Sequence, residues 1–204
     1  MKKVKARWIA LLSATVLAVG GLGAAIGATY ALYSKQAKVV THVTIGDLAF
    51  AFTRTKLEEH ALNDQGYLAD LPADETKVDL TNDGSKAFEA DNGVPGAYYT
   101  ATFELENKGA TAFNAKAEVP TDFITLDGVE DADKTAVLSK ITLSFNGEEA
   151  KSLEGDALSY DLGSLAKAEK KTFTMKVDFS SELGNEAQNA VFEFALRLTA
   201  TQAQ

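Results

Sequence analysis

Apolar and polar residues alternate with period two through most of the chain beyond residue 43, the pattern of strands that bury one face. In residues 98–107, Tyr99, Ala101, Phe103 and Leu105 fall on one side and Thr100, Thr102, Glu104 and Glu106 on the other. Phe113, Ala115, Ala117 and Val119 alternate with Asn114, Lys116 and Glu118, and Ile141, Leu143 and Phe145 with Thr142 and Ser144. Phe173, Met175, Val177 and Phe179 are interleaved with Thr174, Lys176 and Asp178. Phe192, Phe194, Leu196 and Leu198 are interleaved with Glu193, Ala195 and Arg197. Five one-sided strands bury their apolar faces most simply by packing two sheets together. The pattern therefore predicts an all-β chain, a two-sheet β-sandwich of jelly-roll type.

Turn residues punctuate these runs. Asn107-Lys108-Gly109 and Asn146-Gly147 supply side chains that tolerate positive φ, and Pro95-Gly96 precedes the strand that begins near Tyr98. Residues 161–173 resemble the turn before a strand in many immunoglobulin-like and jelly-roll domains. Helical spacing is confined to two connections. Residues 55–64 carry Leu57, Glu58, Ala61 and Leu62, residues 131–140 carry Ala132, Ala136 and Val137, and a short helix is expected in each. Residues 65–93 are polar and rich in Asp, Asn and Gly. They read as a surface excursion with Val78, Leu80 and Phe88 as core contacts and a short strand at 77–80.

The N-terminal region breaks the alternation. Lys2, Lys3, Lys5 and Arg7 are followed by no charged residue from Trp8 to Ser34, a basic head and an apolar run of the secretory kind. Thr29 and Ala31 occupy positions −3 and −1 of a cut before Leu32, where a peptidase that binds its substrate extended accepts small side chains. The run is also long enough to cross a bilayer as a retained anchor, and Gly23 and Gly27 form a GxxxG pair. The expected organisation is a signal peptide over 1–31, a mature N-terminal segment over 32–43 and the sandwich over 44–204. In residues 32–40, Tyr33, Ala37 and Val39 share a face at period two, with Lys35 the exception. Such a segment is either the first strand of its own domain or a strand given to a neighbour.

Composition narrows the function. Cutting before Leu32 lowers Lys+Arg from 20 to 16 against 29 Asp+Glu, a formal charge of −13. A surface of that sign repels nucleic acid and anionic lipid, so neither is an expected partner, and the membrane is met only by the precursor. The chain has no cysteine, which removes disulfides, a thiol nucleophile and soft metal ligands at once.

Four stretches resemble one family. They are GATYALYS at 27–34, VTIGDLAF at 43–50, FELENKGA at 103–110 and NEAQNAVFEFALRLTATQ at 185–202. In order and spacing they are similar to the TasA/camelysin proteins, biofilm matrix fibre proteins cut by a dedicated signal peptidase. The resemblance implies a secreted subunit in the extracellular matrix or at the cell surface, self-association into a homopolymer, and an accessory anchoring protein. It also implies that the mature N-terminal segment, with Leu32, Tyr33, Ala37 and Val39, is a strand donated to the next subunit.

Camelysin relatives carry a metallopeptidase label, which makes a cell-surface protease one alternative and a monomeric adhesion or ligand-binding domain another. His42 and His60 are the only imidazoles. Glu58 and Glu59 adjoin His60, but a zinc hydrolase needs two ligands a helical turn apart with a base between them, and no HExxH occurs. No GxSxG occurs either, and Gly163-Ser164 reads as a turn. Asp127, Glu130, Asp131 and Asp133 have the chemistry of calcium ligands without the spacing of an EF-hand loop. The sequence thus predicts no catalytic residue, no metal site and no cofactor.

Overall fold

A computed structural model describes residues 37–44, 48–82, 84–90, 94–187 and 190–203, and for 37–44, Ala90 and Asn185 the backbone alone. All of them belong to one unit, Tyr33–Gln204. The expected cleavage residues Thr29, Ala31 and Leu32, and Tyr33 with them, lie outside the described residues. Among the described residues, no helix is long and apolar enough to cross a membrane.

The chain forms the two-sheet sandwich of jelly-roll type that the alternation predicts. Its elements are β1 (Ala37–Thr44), β2 (Phe50–Leu62), β3 (Leu68–Asp70), β4 (Val78–Asp79), β5 (Lys86–Ala90), β6 (Tyr98–Asn107), β7 (Phe113–Val119), β8 (Thr125–Asp127), α1 (Asp131–Ser139), β9 (Ile141–Phe145), β10 (Lys151–Ser152), β11 (Leu158–Leu165), β12 (Lys170–Phe179) and β13 (Val191–Gln202). One sheet runs β11-β7-β13-β1-β5, with β8 also on β13. The other runs β10-β9-β12-β6-β2-β3, with β4 also on β2. The chain passes from sheet to sheet at β1–β2, β4–β5, β5–β6, β6–β7, β8–β9, β10–β11, β11–β12 and β12–β13, so many successive strands lie in opposite layers.

The predicted inward sets are the core. Tyr99, Ala101, Phe103 and Leu105 of β6 and Phe173, Met175, Val177 and Phe179 of β12 are buried, opposite Phe192, Phe194, Leu196 and Leu198 of β13. Phe103 sits between Phe52 and Phe173, with ring centroids 5.5 and 5.1 Å away. Burial of this many large side chains, at about 1.5–3 kcal/mol each, holds the sandwich without disulfides.

The helix expected over 55–64 is replaced by strand. β2 runs through Leu62 and pairs with β6 along its length, and its register shifts between Arg54 and Lys56. The bulge moves the inward set from Phe50, Phe52 and Arg54 to Leu57, Glu59 and Ala61. Leu57 and Ala61 are four residues apart, a spacing that helix and strand share, and the intervening inward residue is an acid. The alternation is therefore disguised. The helix expected over 131–140 is present as α1, with Val137 buried.

Two further expectations change. Residues 158–165, read partly as a turn, are strand β11, and a register shift between Asp161 and Gly163 spaces its buried Leu158, Leu162 and Leu165 irregularly. Gly163, at φ 70°, makes that bulge. The excursion over 65–93 does contain a strand at Val78–Asp79, and Leu80 and Phe88 are buried, whereas Val78 is half-buried on an edge. It also contains β5, which ends the first sheet.

Candidate functional site

The segment singled out at the N-terminus is divided. Leu32 and Tyr33 fall outside the described residues, and Ala37 and Val39 lie in β1. That strand runs parallel to β13 for its whole length, with Ala37 opposite Phe192, Val39 opposite Phe194 and Thr44 opposite Thr199. On its other side it pairs antiparallel with β5, Val39 opposite Phe88, with a bulge after Val39. β1 is thus an interior strand, bonded on both edges. β13 and β5 do not pair with each other, and β1 is the strand through which β5 joins the sheet.

Both walls of this position belong to the core. Phe192, Phe194, Leu196 and Leu198 on one side and Ala87 and Phe88 on the other are buried, and Phe88 stacks on Tyr99 with centroids 6.0 Å apart. Taking β1 away would expose the main-chain groups of β13 along an eight-residue register and leave β5 without its ladder. An open sheet edge next to apolar side chains is what an added strand recognises.

A second group of polar residues surrounds His60, on strand β2 rather than on a helix. His60 Nδ1 lies 2.7 Å from Asp70 Oδ1, and the Tyr98 hydroxyl donates to the same oxygen at 3.2 Å. The His60 and Tyr98 rings stack at 4.9 Å, and Lys176 Nζ stands 4.1 Å from the Tyr98 ring centre while pairing with Asp178 at 2.8 Å. The hydrogen bond from His60, followed by that from Tyr98, holds the Asp70 carboxyl below its ordinary range. Partial removal from water, then the charge of Asp70, pushes the Tyr98 phenol up. Beside them a trough of about 360 Å³ is lined by Glu58, Glu59, Asp70, Leu71, Tyr98 and Thr100. His60, Asp70, Tyr98, Lys176 and Asp178 are thus linked to one another in a single side-chain network.

Glu59 and Arg54 are charges on the inward side of β2, Arg54 in step with Phe50 and Phe52 before the bulge and Glu59 with Leu57 and Ala61 after it. Arg54 is buried and pairs with Asp74 at 2.7 Å, while its Nε has no hydrogen-bond partner. Burial pushes the Glu59 carboxyl up, against the opposing pull of the Arg54 charge and with a further push from Asp74. Sequence reading missed this pair because Glu59 sits where an undisturbed alternation would put it on the outer face, and Arg54, in step with Phe50 and Phe52, is a charge at an inward position.

The remaining candidates are dispersed. Asp127 ends β8, Asp131 pairs with Lys134 at 2.8 Å in the first turn of α1, and Glu130 precedes that helix. Among the described residues, no group of three His, Asp or Glu side chains is arranged to hold a metal ion. Ser164 lies in β11 opposite Asn114.

No protein-family model and no curated protein matches this sequence. Among solved structures, a major pilin from Streptococcus pyogenes (E117A mutant) overlaps at 11% identity and a TM-score of 0.26, over 81% of this chain and 48% of the pilin, so the chain spans about half the pilin's length. An uncharacterized β-sandwich protein from Clostridium difficile overlaps at 9% identity and a TM-score of 0.22, over 82% and 94% of the two chains. AvmM, described as catalysing macrocyclization in alchivemycin A biosynthesis, overlaps at 12% identity and a TM-score of 0.25, over 53% of this chain and 80% of its own. Likeness this weak says nothing about function.

Proposed function

We propose that this chain is an exported structural subunit of extracellular fibres in a biofilm matrix, assembled when β1 leaves its own sheet and fills the same position in a neighbour. The observation that carries this reading is the place of β1. The N-terminal strand of the described chain lies in the interior of a sheet, between β13 and β5, so it can be exchanged only by opening a slot that an identical strand fits. The resemblance of residues 27–34 to a fibre-protein processing site supports export and cleavage before Leu32 by a dedicated signal peptidase. The formal charge of −13 after cleavage disfavours non-specific clumping and leaves assembly to a shape-matched contact. On this reading the chain has no catalytic role and needs no cofactor.

The test is a secreted chain lacking residues 32–44, compared with the full secreted chain by electron microscopy over a range of concentrations. Filaments from the full chain alone, and a folded monomer from the shortened one that takes up an added 32–44 peptide, are expected. Filaments from the shortened chain would refute strand exchange.

A further inference from the structure

The chain leaves the first sheet at Thr44 and is already fixed to the second at Ala49. The Ala49 carbonyl accepts the Lys108 N–H at 3.0 Å. A Cβ placed on Gly109 would lie 3.4 Å from Ala49 O, 3.6 Å from Ala49 N and 3.3 Å from Asn107 Oδ1, so the turn after β6 lies backbone against backbone on Ala49. The next residue, Phe50, is buried, pairs with Asn107 and packs its ring 6.2 Å from that of Phe113. The turn itself is held from within. Asn107 Oδ1 accepts the Gly109 N–H at 2.9 Å, and Asn107 Nδ2 donates to Thr111 O and Leu165 O. No group in this anchorage comes from β1.

On the strand-exchange reading above, we propose that Asn107, Lys108 and Gly109 form the pivot of assembly, holding Ala49 to its own subunit while β1 passes to the next. The pivot fixes the reach of the exchanged strand. Five Cα steps separate Thr44 from Ala49, which covalent geometry limits to about 17 Å. The same five steps suffice to cross between sheets packed about 10 Å apart when β1 lies in its own fold. In a fibre, the neighbour's slot must therefore open within about 17 Å of the donor's Ala49. Consecutive subunits are thereby held in close apposition, with the donor's turn setting their contact.

The absence of native cysteine allows two double variants to test this. Thr44→Cys/Thr199→Cys joins register partners of β1 and β13, and Ala49→Cys/Lys108→Cys joins two exposed residues across the pivot. Each is treated with a short bis-maleimide as monomer and as filament, then dissolved and run on a denaturing gel. In the monomer both pairs link within one chain. In filaments the strand pair is expected to give a ladder of covalent oligomers, and the pivot pair to stay within one chain. A ladder from the pivot pair, or loss of its link on assembly, overturns the pivot and leaves strand exchange standing. A strand pair that stays within one chain in filaments, or a wild-type chain that forms none, overturns strand exchange and the pivot with it. Hydrogen exchange on unmodified protein gives an independent reading. Protection of the Lys108 amide in filaments should match the monomer within about threefold, and a fall of more than tenfold overturns the pivot.

Discussion

Replacing Asn107 with Ala should destabilise the sandwich more than its place in an Asn-Lys-Gly turn would suggest. Asn107 is 1% exposed and continues the inward set of β6. Its Nδ2 donates to Thr111 O at 2.8 Å and to Leu165 O at 3.0 Å, and its Oδ1 accepts from Gly109 N. Its main chain is bonded to the turn between β11 and β12, donating to Glu169 O and accepting from Ala168 N. Asn107→Ala keeps the main-chain bonds and removes all three side-chain ones. The Leu165 carbonyl, on a residue with no exposed surface, and the Gly109 N–H lose their partners. At about 1–3 kcal/mol for each of these two unsatisfied groups, with Thr111 nearer water, the loss is about 2–6 kcal/mol. Urea unfolding, with a slope of about 2 kcal/mol/M, should show it as a midpoint lowered by about 1–3 M at an unchanged slope. Asn107→Asp should be worse at pH 7, because both donors are lost and a carboxylate is turned toward two carbonyl oxygens. A loss below about 0.5 kcal/mol for Asn107→Ala, or Asp tolerated better than Ala, would refute the clamp.

Two further outcomes follow from the bulged strands. Glu59→Gln should raise the urea midpoint at pH 7. Burial raises the folded-state pKa of Glu59 above its ordinary 4.5, so ionisation costs stability as pH rises from 4.5 through the folded value, and the advantage of Gln should vanish below pH 4.5. Gly163→Ala should cost about 1–2 kcal/mol, since Gly163 stands at φ 70° and the added Cβ meets Lys171 Nζ at 3.2 Å, the far end of a flexible side chain that can shift from its bond to Leu162 O. Gly147→Ala, at φ 73° with nothing within 4 Å, should cost a similar amount in the same unfolding assay, and a much larger loss at Gly163 would mean that contact rather than backbone strain decides.

Strands whose alternation is unbroken were legible from residues alone. β6, β7, β9, β12 and β13 place every expected apolar side chain in the core, because a regular strand against an opposing sheet leaves no freedom once the period is known. Two of the misread strands, β2 and β11, carry a bulge. In β2 one extra residue near Thr55 shifts the inward set and puts Glu59 between Leu57 and Ala61. In β11 a bulge at Gly163 separates Leu162 and Leu165 by three. The extra residue that bends a strand removes the periodicity by which the strand is recognised. Gly163 carried a trace of it, as a glycine inside an apolar run.

The polar networks were hidden for a different reason. Asn107 announces a turn in the sequence and performs that function, but its burial depends on Leu165, fifty-eight residues away. The stack of His60 on Tyr98 and the bond to Asp70 likewise join three strands whose pairing the sequence leaves open. The position of β1 is the extreme case, because its parallel partner is β13, the last strand of the described chain, and a parallel pair has no tight turn to mark it. Local pattern showed that residues 37–40 suit a strand and left its sheet undetermined. On the strand-exchange reading proposed above, the same property favours exchange. No short hairpin ties β1 to either neighbour, so once its ladder with β13 and β5 opens, the link to Ala49 is what joins it to the rest of the described residues. In the proposed fibre, an identical strand arriving from a second subunit would restore every main-chain bond that was lost.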